Sequence, residues 1–247
     1  MTNSQIIYED NHLLVVVKPP NMPTQADASG DLDIQTAMKQ YIADTYNKPG
    51  NVYLGLVHRM DRPVGGLLVL AKTSKAAQRL SDQVQHKAMQ REYLAVVHGK
   101  AHDLLNLTDW LHKDERTNTV HVVPPNTPGA KEAKLDARLM GIIGEETDSP
   151  LSLYRVRLYT GRSHQIRVQL SHAGFPIWGD ARYGIDPAGC QIALWGARLT
   201  LMHPTKKEPM TFVNLPDGRP WDRFPHLEKA IEGPGRSLDN AQEEQGL

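Results

Sequence analysis

A single cysteine, Cys190, stands among 247 residues, so neither an intrachain disulfide nor a cysteine-based zinc site can form. That scarcity of thiols fits a reducing compartment, and the cytoplasm is the expected location. Long apolar runs are missing as well. The longest, Leu13 to Val17 and Gly65 to Ala71, fall far short of the roughly 20 residues a membrane-crossing helix needs. The opening Met-Thr-Asn-Ser-Gln has neither the positive n-region nor the apolar h-region of a secretory signal, so no export is expected. Net charge is also lacking: 28 Lys and Arg face 28 Asp and Glu, which argues against a protein that coats nucleic acid indiscriminately. What remains is an ordinary globular composition, 40% hydrophobic and 23% charged, long enough to bury a core without metal or disulfide support.

The balanced charge hides an uneven distribution. From His58 to Arg91 seven basic residues (Arg59, Arg62, Lys72, Lys75, Arg79, Lys87, Arg91) face only Asp61 and Asp82. From Arg155 to Arg182 five (Arg155, Arg157, Arg162, Arg167, Arg182) face Asp180 alone. If the two segments meet in space they form a positive face suited to a phosphate backbone; if they do not, they are two solvated surfaces.

Apolar periodicity predicts an α+β domain with a mixed, mostly antiparallel sheet flanked by helices. Ile6–Tyr8 and Leu13–Lys18 read as a hairpin turned by Glu9-Asp10-Asn11, and the prolines after Lys18 end the second strand. Ile34, Ala37, Met38, Tyr41 and Ile42 share one face of a helix that stops before Asn47. Leu67–Ala71 is a buried strand, followed by a helix through Leu80 and Val84 capped by Thr73-Ser74. Further strands are expected at Tyr93–Val97, Val120–Val123, Leu135–Leu139, Leu151–Leu158, Ile192–Leu201 and Met210–Val213. Gly161 and Ser163 open a helix carrying Ile166, Leu170 and Ala173 on one stripe, with His164 and Arg167 pointing together away from it. Residues 1–225 form one catalytic-sized domain; 226–247 are expected to be a helix remnant and a disordered tail.

The densest chemistry lies in His58-Arg59-Met60-Asp61-Arg62-Pro63-Val64-Gly65-Gly66, which runs into the apolar strand and Ala71-Lys72. An acid between two arginines suits a reactive anion, and the glycines let another backbone or a ligand come close. The same spacing serves a structural Arg–Asp ion pair equally well.

This run resembles the active-site motif of the RluA-type pseudouridine synthases, His-Arg-Leu-Asp-Arg followed by small residues, an apolar strand and Ala-Lys. Three other stretches match that family in order: Tyr8 through Pro19, Arg91-Glu-Tyr-Leu-Ala-Val-Val-His-Gly, and Thr160-Gly-Arg-Ser-His-Gln-Ile-Arg continuing to Asp180. The resemblance implies a cofactor-free isomerase that converts uridine in RNA to pseudouridine. Asp61 falls on the catalytic aspartate, Arg167 on the arginine that pairs with it, here expected as a bidentate clamp, and Tyr93 on the tyrosine whose ring lies against the uracil and whose hydroxyl helps remove the proton from carbon 5. Without the resemblance, Tyr93 reads as a core tyrosine. Arg59 falls on a position that enters the RNA stack in place of the extruded base. His58, Arg62, Arg162, His164, Lys75 and Arg79 complete the expected RNA-contacting set. The partner is ribosomal or transfer RNA, in a loop or single-stranded element where unstacking costs least; a monomer is the default.

Two departures stand out. Val64-Gly65-Gly66 lacks the hydroxyl of the family's usual Thr-Ser-Gly, and Pro20-Asn21 replaces a small pair. Nothing before Ile6 suggests an additional RNA-binding module, so substrate choice is expected to rest on the catalytic domain. Three other readings fare worse. His98 and His102 are four apart but separated by Gly99 and Lys100 after a strand, so no helix presents both to a metal. Ser163 or Ser171 with His164 or His172 lacks a Gly-x-Ser-x-Gly elbow for hydrolysis. A silent RNA-binding protein or folding assistant would retain the fold, but has no need for Asp61, Tyr93 and Arg167 together.

Overall fold

The computed structural model describes residues 5–232. Among these residues eleven strands form one sheet in the order β1-β2-β4-β10-β5-β9-β8-β6-β7, with β3 (Gly55–Leu56) joined to β4 and β11 (Pro209–Val213) to β10. Every pairing is antiparallel except β4 with β10, as the composition of short strands with few helices implies.

β1 (Ile6–Glu9) and β2 (Leu13–Lys18) form the expected hairpin. Its turn is held by Asp10, whose Oδ1 accepts the N–H groups of His12 and Leu13 at 2.7 and 2.8 Å. β2 and β4 (Gly65–Ala71) are buried along their whole length because helices cover both faces. Leu14, Val16, Leu68 and Leu70 pack against α1 (Ile34–Thr45), whereas Leu13, Val15, Leu67 and Val69 pack with α2 (Ser74–Gln85). The alternation of strand side chains therefore produces a continuous apolar run rather than an alternating one. Asp33 and Thr73 cap the two helices.

The second half of the sheet is built from β5 (Gln90–His98), β9 (Leu151–Leu158) and β10 (Leu194–Met202), with the core centred on Tyr154, Leu94 and Leu170. β6 (Leu104–Asp114) is a strand that sequence reading leaves unassigned, and β8 (Lys131–Ile143) is longer than expected. Both belong to an extended antiparallel ribbon with β7 (Thr119–Val123). In β8 only Ala133, Leu135 and Ala137 are buried, so the charged residues between them disguise the strand. α4 (Leu227–Ile231) packs Ala230 and Ile231 into the main core, beside Trp221 and Phe224. Arg198 and Arg155 then bind the carbonyls of Ile231 and Glu232. The expected tail at 233–247 lies outside the described residues.

The short parallel contact of β4 with β10 explains the Gly65-Gly66 pair. Gly66 has φ +124, and a Cβ there would lie 2.4 Å from both the nitrogen and the oxygen of Gly196. The close partner is thus another backbone. Gly66→Ala is expected to lower unfolding stability by about 3 kcal/mol or more, through strain and overpacking, read as a fall in the denaturant midpoint.

Candidate active site

Asp61 sits in the turn that leads from β3 (Gly55–Leu56) to β4, closed by the Val64 N–H to Asp61 oxygen bond at 3.0 Å. Two anchors hold that turn. Thr24 Oγ1 donates to the Met60 carbonyl at 2.8 Å and accepts the Met60 N–H at 3.2 Å. The Lys18 ammonium, with none of its residue exposed, donates to the carbonyls of Pro19, Met22 and Arg62 at 2.9, 2.8 and 3.1 Å. Burial pulls the Lys18 amine down to about 7, against the attraction of Asp61. Three carbonyls nevertheless match the three N–H bonds of an ammonium.

Arg167, on α3 (Gln165–His172), approaches from the other half of the sheet. Its Nη1 lies 3.4 Å from Asp61 Oδ2. The expected bidentate clamp is present but points elsewhere: Nε and Nη2 donate to the two oxygens of Asp180 at 2.8 and 2.7 Å. Asp180 also accepts the N–H groups of Arg182 and Tyr183 at 3.0 and 3.2 Å. Burial alone would raise its carboxyl; the guanidinium and the two N–H groups outweigh that and hold it below the usual range. A planar fork can serve one carboxylate well, so Asp180 takes it and Asp61 receives the remaining edge.

α3 does not begin on a Ser163 cap. Its cap is His164, in the left-handed region at φ 52 and without a side-chain capping bond. The preceding turn is tied instead by Gln165, which accepts from Thr160 Oγ1 and the Arg162 N–H and donates to the Lys134 carbonyl. This leaves His164 beside Asp61 and Arg167 in a cavity of about 1070 Å³.

Seven cationic side chains line that cavity, including Arg59, Arg91 and Arg162, against only Asp27 and Asp61. The two basic segments therefore meet, though only in part. Lys75 and Arg79 are not among the lining residues, and Arg79 gives its Nη1 to the Pro204 carbonyl. Arg62 lines the cavity but is engaged by Ser29 and Asp31. Arg59 is exposed at the mouth. Tyr93 is 6% exposed, and burial raises its phenol, with Arg91 opposing and Asp61 reinforcing the shift.

His58 was expected at the RNA surface. It is buried, and its Nε2 accepts the Val69 N–H at 3.2 Å. Burial, reinforced by Arg91, drives its imidazole down to about 3, so the ring is neutral and positions the loop. Below pH 6.5 the unfolded chain takes up a proton here that the folded chain refuses until about pH 3. Stability therefore falls as the pH is lowered through that window, by about 1.4 kcal/mol per unit from this residue. His58→Gln should flatten the pH dependence of unfolding by about one proton.

Asp180, Tyr183, Lys18 and Thr24 are the participants that sequence reading left without roles. Asp180 closes the fourth matching stretch, which was the available signal. His98 pairs with Asp186 at 2.6 Å and His102 stands edge-on to Phe175. Ser171 donates to the Tyr183 carbonyl. No helix among the described residues is long and apolar enough to cross a membrane.

The fold places the protein in a class. The solved structure of Human RNA Pseudouridylate Synthase Domain Containing 1 superposes with a TM-score of 0.68 at 22% identity, covering 99% of this chain and 96% of that one. RNA pseudouridylate synthase is also the family that matches residues 12–172, and the chain belongs to it. It is 33% identical over 216 residues to ribosomal large subunit pseudouridine synthase C of Buchnera aphidicola subsp. Baizongia pistaciae, covering 83% of this chain. It is 36% identical over 186 residues to ribosomal large subunit pseudouridine synthase D of Yersinia pestis, covering 74% of this chain. The matched regions span 65% and 53% of those two relatives.

Proposed function

We propose that the protein is an isomerase that converts uridine to pseudouridine in large-subunit ribosomal RNA, acting in the cytoplasm as a monomer. The observation that carries this reading is the Asp61 carboxylate, 3.4 Å from Arg167 Nη1 on the wall of a cationic cavity. The names of the two relatives support the choice of RNA.

A stacked nucleotide cannot present its glycosidic bond to a side chain, so the target is extruded into the cavity, with Arg59 placed to occupy the gap. The C1′–N1 bond breaks, and its electron pair leaves with the uracil. Asp61 either bonds to C1′ or takes the proton at C2′ to give a glycal. The uracil turns and C5 bonds to C1′ as the Asp61–C1′ bond breaks or, on the glycal route, as the C2′ proton is returned; C5 then loses its proton and N1 gains one, so substrate and product are isomers and no cofactor is needed. Tyr93 lines the cavity, where its ring serves as a platform for the pyrimidine and its hydroxyl helps remove the C5 proton.

The test is release of tritium from RNA labelled at uracil C5. Transcripts of large-subunit ribosomal RNA should release it with formation of pseudouridine, and transfer RNA should not. Bound RNA without release from either would favour a silent RNA-binding protein.

A further inference from the structure

The Tyr183 hydroxyl joins the β6–β7 hairpin to the cavity wall. Its oxygen accepts the Val120 N–H at 2.8 Å and lies 2.7 Å from His164 Nδ1. Burial raises the Tyr183 phenol, against the Val120 N–H and the nearby arginines, so it keeps its hydrogen. With its oxygen already accepting from Val120, that hydrogen is directed to Nδ1. Burial also holds the His164 imidazole below its ordinary range, against the pull of Asp61. A neutral imidazole that accepts at Nδ1 carries its hydrogen on Nε2.

His164 lines the cavity and Tyr183 does not. With Nδ1 engaged by Tyr183 inside the protein, Nε2 is the ring nitrogen left for the cavity that His164 lines. The left-handed backbone at His164, φ 52, is strained for a residue with a Cβ, and capping does not account for it because the side chain caps nothing.

Resting on the isomerase reading above, we propose that His164 donates its Nε2–H to a carbonyl oxygen of the extruded uracil, with Tyr183 as the positioning residue that fixes the tautomer and direction of the ring. As the C1′–N1 bond breaks, its electron pair spreads over the uracil carbonyl oxygens. A donor already in place there stabilises the departing ring more than the ground state. No proton is transferred: the hydrogen bond strengthens as charge arrives and relaxes once C5 has joined C1′ and lost its proton. A neutral donor suits a carbonyl oxygen, whereas phosphates have the guanidinium groups of the cavity.

The experiment compares single-turnover rates and RNA affinity for wild type, His164→Leu, His164→Gln and Tyr183→Phe, on RNA carrying uridine or 5-fluorouridine at the target position. His164→Leu should slow uridine conversion about 100-fold, the scale of losing one preorganised donor, with affinity unchanged within about twofold. Glutamine can accept from Tyr183 and still donate, so His164→Gln should recover most of the rate. Tyr183→Phe should lose about tenfold, since the ring stays but its tautomer is no longer held. Fluorine makes the uracil a better leaving group, so the His164→Leu defect in consumption of 5-fluorouridine should shrink below about tenfold, which a merely structural defect would not do. Equal losses on both nucleotides, or a His164→Leu rate within about threefold of wild type, would overturn the inference and leave the isomerase reading intact. Failure of wild type to convert any RNA would end both.

Discussion

Asp61→Asn should leave RNA binding and folding in place and reduce single-turnover isomerisation by at least about 10⁴-fold, the scale seen when a nucleophile is removed from a preassembled site. Asparagine has nearly the shape of aspartate but neither the negative charge nor a basic oxygen, so it can neither bond to C1′ nor take a proton at C2′. The anchors of its turn do not involve the carboxylate: Lys18 binds the Arg62 carbonyl and Thr24 binds the Met60 backbone. Arg167 keeps its fork on Asp180. The measurement is tritium release under enzyme excess, with affinity and melting temperature recorded beside it. Activity above about 1% of wild type would show that the carboxylate is not the reacting group.

The second large effect is expected at Asp180. Removing it with Asp180→Ala leaves a guanidinium that is 7% exposed without its fork partner, and breaking one side of such a buried pair costs about 3–5 kcal/mol. Arg167 is then free to swing its whole fork onto Asp61, which would tie up the reacting oxygens. Both stability and rate should fall, the rate by at least about tenfold, as shown by chemical denaturation and single-turnover assay. Asp180→Asn retains an acceptor and should fall less on both. Arg167→Lys should fold yet lose most activity, because one ammonium cannot hold Asp180 at two points and still reach Asp61. Normal turnover in Arg167→Lys would discredit the pairing.

Local signals located much of this architecture. The continuous apolar run of β4, the Thr73 cap and the stripe of α1 are encoded within a few residues, and each element stands where they put it. β6 escaped although Leu105, Leu107 and Leu111 alternate along one face, because the polar residues interleaved with them leave no continuous apolar run. At the site, the motif placed Asp61, Tyr93 and Arg167 together, but not the division of the Arg167 fork. That division depends on Asp180 being almost fully buried and on two backbone N–H groups converging there, which no spacing reveals. His58 entered the RNA-contacting set through its place in the motif; the turn folds it inward against β4. Arg79 is diverted by the carbonyl of Pro204, 125 residues away in sequence.

The turn bearing Asp61 enters β4, and the helix bearing Arg167 follows β9; between these strands lie β10 and β5, with β10 joined to β4 only at Gly65-Gly66. The close packing of Gly65-Gly66 on Trp195-Gly196 is therefore the joint that sets the spacing of Asp61 and Arg167. On the proposed reading, an RNA target must bend and unstack to thread one nucleotide into the cavity that this joint holds open. A target would then be selected by how readily it distorts as much as by the letters it carries.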